Sequence, residues 1–168
     1  MDVRRTAVGG LGGAAATMVM TGWMALGQLT GPHGEQPPKR LVRRLARRAG
    51  LPARRRGPGT WFASAAAHLG FGASCGALYG AVVPRSSTPR GMVFALGVWA
   101  VSYAGWIPAL GLLPPPGKDN PRRAWTILTA HVVYGAVLGA TLARWDRAAH
   151  HPAVAAGLRP AETASREP

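Results

Sequence analysis

HLGFGASCGALYG, residues 68–80, returns sixty-three residues later as HVVYGAVLGATLA, residues 131–143. The shared pattern is A-H-x-x-[FY]-G-A-x-x-G-A, led by Ala67 and Ala130. It aligns His68 with His131, Phe71 with Tyr134, Gly72 with Gly135 and Gly76 with Gly139. Each copy lies in an uncharged apolar run, and a bilayer core about 30 Å thick needs roughly 20 helical residues to cross it. Two further runs of this kind flank them. The four, at about 7–30, 60–83, 91–113 and 124–143, predict an all-α integral membrane domain over residues 1–147. Four transmembrane helices would form two pseudo-repeated pairs. Because each pair crosses twice, the copies point the same way, a parallel repeat.

The totals agree only when read locally. Over 168 residues, a single-domain length, the mean hydropathy of +0.06 averages very apolar stretches with very basic ones. Twenty Lys and Arg against six Asp and Glu give a net charge of +14, which calls for a polyanionic partner. The lone Cys75 excludes a disulfide within the chain. The Ala, Arg and Gly bias suits a GC-rich bacterial genome.

The first run could instead be a signal peptide, with Arg4 and Arg5 leading and Ala25-Leu26-Gly27 as a cleavage site. Three further runs downstream favour a retained span. Its Gly9, Gly13, Thr17, Thr21 and Ala25 recur every four residues, a small-residue ridge suited to close helix packing. Gly72 and Gly76, and likewise Gly135 and Gly139, make equivalent ridges, and these two faces are expected to meet each other.

Nine basic residues stand between Lys39 and Arg56. Within residues 38–50, Arg40, Arg43, Arg44, Arg47 and Arg48 surround an apolar face of Leu41, Val42, Leu45, Ala46 and Ala49, predicting a basic amphipathic helix stopped by Gly50. Its expected partner is anionic lipid head groups, each basic residue contributing about 1 kcal/mol; the alternative is a solvated loop that only sets topology. Nucleic acid is not expected, since no aromatics are interleaved with the arginines. Positive-inside counting puts loops 31–59 and 114–123 in the cytoplasm and both termini outside the bacterial cytoplasmic membrane, although Arg4 and Arg5 favour the reverse. Residues 148–168 read as a disordered tail.

In the third run Pro108 should kink the helix by freeing the Ala104 carbonyl. Trp99, Tyr103 and Trp106 form a stripe expected to pack against glycine-faced neighbours. Further on, GL-x-PP at residues 111–115, a polar loop and A-H-x-x-Y-G at residues 130–135 resemble the YagU-type family of small bacterial inner-membrane proteins of four or so helices. The likeness covers mainly residues 97–147, and the arginine-rich insertion departs from it. It implies a fold and a location, but no reaction.

His68 and His131 stand about 10 Å below the same interface at 1.5 Å per residue, and intramembrane ionisable groups raise a functional question by default. Three readings follow. In the first the histidines are structural, hydrogen-bonded to each other or to Thr17, Thr21, Ser102, Tyr103 or Thr129, in a structural or accessory protein whose partner is another membrane protein or a second copy. In the second they serve a small transporter or channel, against which stands the absence of Asp and Glu from every run. In the third they are axial ligands of a b-type haem, with Arg56 and Arg123 on its propionates. No metal site, nucleophile–base pair or phosphate loop is present, so neither a cofactor nor an enzyme activity is expected.

Overall fold

The computed structural model describes residues 2–29, 42–43, 46–47, 50 and 58–150. Among these residues the chain is entirely helical. Helix α1 runs Val3–Leu29 and α2 runs Pro58–Val82. Helix α3, Thr88–Ala109, is α-helical through Trp99, widens into a π-helix over Ala100–Trp106, and closes with an α turn at Ile107–Ala109. A 3-10 turn at Pro116–Lys118 leads to α4, Pro121–His150. Helices α3 and α4 are long and apolar enough to cross a membrane. Helices α1 and α2, of 27 and 25 residues, are as long but richer in glycine. Of the amphipathic helix expected over 38–50, Arg40, Arg44 and Arg48 lie outside the described residues. Val42, Arg43, Ala46 and Arg47 are helical, and Gly50 has a φ of +68°. Most of the tail, 151–168, also lies outside.

The ends of these helices follow from local chemistry. Ser87, extended at φ −153°, caps α3 by accepting from the Arg90 N–H, and Pro89 sits in the first turn where no donor is needed. Asn120 accepts from the Arg122 and Arg123 N–H groups to start α4. Gly111 ends α3 at φ +66°, with Leu112 N–H on the Ile107 carbonyl and Gly111 N–H on that of Pro108. That is a Schellman closure, which needs a residue tolerant of the left-handed conformation. Pro108 does not simply kink the helix. The wider π turn before it, with Ile107 N–H reaching the Ser102 carbonyl, gives the proline ring room where an α-helical Ala104 carbonyl would clash.

Glycine contacts hold each consecutive helix pair together. A Cβ on Gly13 would strike the Gly72 carbonyl and stand 2.9 Å from Gly76 Cα; one on Gly76 would strike the Gly9 carbonyl. In the second pair, a Cβ on Gly91 would strike the Gly135 carbonyl and stand 2.7 Å from Gly139 Cα, and one on Gly139 would meet the Ser87 carbonyl. Gly72 and Gly135 therefore do not face each other, as their matching ridges suggested. Each faces the preceding helix of its own pair. Only Gly9, Gly13 and Thr17 of the α1 ridge are buried, while Thr21 and Ala25 are exposed.

The pairs join through α1 and α4. Ala16, Met20 and Met24 pack with Ala130, Tyr134, Leu138 and Leu142 in the main core. Helices α2 and α3 make little contact with each other, and a cavity remains between them.

One polar cluster ties the termini of all four helices. The Arg5 guanidinium reaches both oxygens of Asp146, at 2.8 and 3.2 Å, and also the Gly80 carbonyl. The Ser86 N–H donates to Asp146 and its hydroxyl to the Gly139 carbonyl, both at 3.0 Å. Arg5 is thus a buried structural residue besides a topological charge. Arg5→Lys keeps the charge but loses the fork that reaches all these acceptors. It should cost about 1.5–3 kcal/mol in reversible unfolding, the range of hydrogen bonds to charged groups; an unchanged midpoint would mean the cluster is solvated.

Candidate functional site

The space between α2 and α3 is a cavity of about 260 Å³, and both repeated histidines line it. Helix α1 contributes Thr17, Met20 and Met24; α2 contributes His68, Phe71 and Cys75. The π segment supplies Ser102, Tyr103 and Trp106, and α4 supplies Ile127, His131 and Tyr134. The wall is overwhelmingly apolar. Phe71 is 46% exposed, so the cavity reaches the outer surface beside it.

Most polar side chains in this wall are engaged with the protein itself. Thr17 donates to the Gly13 carbonyl at 2.8 Å and Ser102 to that of Val98 at 2.5 Å. Tyr134 donates to the Gly72 carbonyl at 2.7 Å, linking α4 to α2. Tyr103 donates to Asp119. The histidines differ. His131 Nδ1 lies 2.8 Å from the Ile127 carbonyl, and a carbonyl only accepts, so a neutral ring carries its proton on Nδ1 and presents a lone pair at Nε2. His68 Nε2 is fully enclosed and has no hydrogen-bond partner among the described residues. Neither histidine bonds to the other or to the hydroxyls expected for them.

Behind Tyr103 in the cavity wall stands a buried group that the sequence pattern did not mark. Asp119, with no exposed side-chain surface, accepts from Tyr103, from Arg123 Nε at 2.9 Å and from the Asn120 N–H at 2.7 Å. Its second contact with Arg123 completes an ion pair. Arg123 is therefore not free for a propionate. Tyr103 itself is buried among Leu113, Ile127, Trp99 and Ile107 instead of against glycines, with its ring 6.1 Å from that of Trp99. No group of three His, Cys, Asp or Glu that could hold a metal occurs among the described residues.

A family model spans residues 3–153, from the first residue of α1 past the end of α4, and so includes every residue of the cavity wall. The chain belongs to DUF6789, a family of unknown function. No curated protein and no solved structure matches it. Membership of DUF6789 takes in the arginine-rich insertion that set the chain apart from the YagU-type pattern, since residues 31–57 lie within the matched span.

Proposed function

We propose that this DUF6789 chain is a four-span protein of the bacterial cytoplasmic membrane and serves as an accessory binding protein for a lipid-soluble small molecule. The observation that carries the reading is the apolar cavity, whose hydroxyls are engaged internally while His131 keeps a lone pair at Nε2. The equivalence of Gly13 with Gly91, and of Gly76 with Gly139, in their contacts supports a parallel repeat of two helix pairs. Large apolar side chains face outward along the helices, Leu11 at 74%, Val93 at 71% and Val101 at 69% exposure, as lipid-facing residues would. The basic loop 31–59 lies at the cytoplasmic surface against anionic head groups, and a likeness to YagU-type proteins fits the same location.

A path for protons or small solutes is the second reading, favoured by both histidines lining one cavity. It requires passage beyond Tyr103–Asp119–Arg123 at one end and Arg5–Asp146 at the other. Proteoliposome flux unchanged by His68→Ala with His131→Ala would remove it. Haem is a poor fit, because about 260 Å³ is less than twice the roughly 150 Å³ that holds one benzene ring, too little for a macrocycle of four fused rings.

Two measurements test the main reading. The protein should resist carbonate and urea extraction from membranes and yield only to detergent. Organic extraction of the purified wild type should release an apolar molecule in amounts comparable to the chain, and Val98→Phe, which fills the cavity, should carry much less. Equal yields from both would end the binding proposal.

A further inference from the structure

We propose that the cavity receives the ring-sized, hydroxylated head of its ligand, the chemistry of a hydroquinone or a long-chain phenol, with His131 accepting the ligand's O–H. This rests on the binding reading above and specifies the ligand.

Size comes first. A dry apolar cavity of about 150 Å³ holds benzene. The cavity here, about 260 Å³, holds one substituted ring and no fused macrocycle. Aromatic side chains Phe71, Tyr103, Trp106 and Tyr134 contribute to its wall, and flat rings pack well against aromatic edges and faces.

Polarity comes second. An apolar ligand with no hydrogen-bonding group would cover the His131 Nε2 lone pair without a partner, a state that buried polar atoms rarely keep. The Ile127 carbonyl fixes His131 as an acceptor at Nε2, so the complementary ligand atom is a donor. A hydroxyl supplies that hydrogen to His131 Nε2. A ketone or ether offers no hydrogen to His131. The head must therefore carry a donor, which the O–H of a phenol or hydroquinone supplies, and the tail leaves through the weakly packed side between α2 and α3, past the exposed Phe71.

The test uses the full chain in nanodiscs and three probes of one shape: a decyl hydroquinone, its dimethyl ether and decylbenzene. Quenching of Trp106 reports binding, with Trp106→Phe as the blank. The hydroquinone should bind about tenfold tighter than its dimethyl ether, the size of one buried hydrogen bond, and His131→Leu should erase that preference. Equal binding of all three probes to the wild type would overturn the hydroxyl inference and leave the apolar binding site standing. Failure of all three to bind would overturn both. The wild-type comparison decides the matter even if His131→Leu does not fold.

Discussion

Gly76→Leu is expected to abolish the folded four-helix state. The first atom of any side chain at this position would strike the Gly9 carbonyl and lie 2.7 Å from Gly13 Cα and 2.9 Å from Gly13 N. These are backbone atoms, which no rotamer change can move aside. Overpacking costs about 1–3 kcal/mol where neighbouring side chains can shift. Here α1 and α2 must separate along the whole contact, so a loss above about 3 kcal/mol is expected, a large part of a total of about 5–15 kcal/mol. Gly91→Leu should do the same to the second pair, where a Cβ would stand 2.8 Å from Gly139 N. The internal control is Gly22→Ala. Nothing lies within 4 Å of a Cβ there, so exchanging helical glycine for alanine should stabilise by about 0.5–1 kcal/mol. Unfolding in mixed micelles, followed by circular dichroism, measures all three. A Gly76→Leu protein that unfolds at the wild-type midpoint would mean that α1 and α2 do not touch as described.

The difference between those glycines was only half legible in the sequence. Spacing of four residues marked Gly9, Gly13, Gly72, Gly76, Gly135 and Gly139 as packing residues, and each is buried. Spacing cannot say which partner a ridge meets, because two equivalent ridges suit each other as well as they suit the preceding helix. Gly91 has no glycine at that spacing, only Ser87 and Ala95, and so did not stand out, although its backbone is the one Gly135 and Gly139 close upon. Helix starts were legible to within about four residues, since charge and proline bound each apolar run, but α4 continues to His150, well beyond the apolar run that ends at 143. The π segment was not. Its cause is Pro108, but a proline equally permits a kink, and the choice depends on the Gly111 closure and the packing of Tyr103. For the site, the pattern singled out His68, His131, Trp99, Tyr103 and Trp106; four of them line one cavity, while Trp99 packs against Tyr103 instead. That the hydroxyls around the histidines would be engaged elsewhere required the fold itself.

Asp119→Ala carries the second large expected effect, and Asp119 is the residue that sequence alone hides best. Among Lys118, Arg122 and Arg123, a single carboxylate on a loop reads as solvated. In the folded chain its side chain has no exposed surface and pairs with Arg123, whose side chain is 13% exposed. Removing one member of a buried pair costs about 3–5 kcal/mol. Because Arg123 can recover some hydration at its exposed edge, Asp119→Ala should lie near the lower end. Arg123→Ala should cost more, since it leaves the fully enclosed carboxylate without the guanidinium. Tyr103→Phe removes one hydrogen bond and keeps the pair, so about 1–2 kcal/mol is expected. The order Arg123→Ala, Asp119→Ala, Tyr103→Phe is the prediction; comparable small losses for all three would place the carboxylate in water. The same experiment reaches the cavity, because Tyr103 stands in its wall and in the Asp119 network at once. Loss of Asp119 frees the Tyr103 hydroxyl and loosens the π segment, so probe binding should weaken although Asp119 itself does not line the cavity. Asp119→Asn separates the two effects: it keeps an acceptor for Tyr103 while losing the charge, and so should retain most of the binding and lose most of the stability that Asp119→Ala loses.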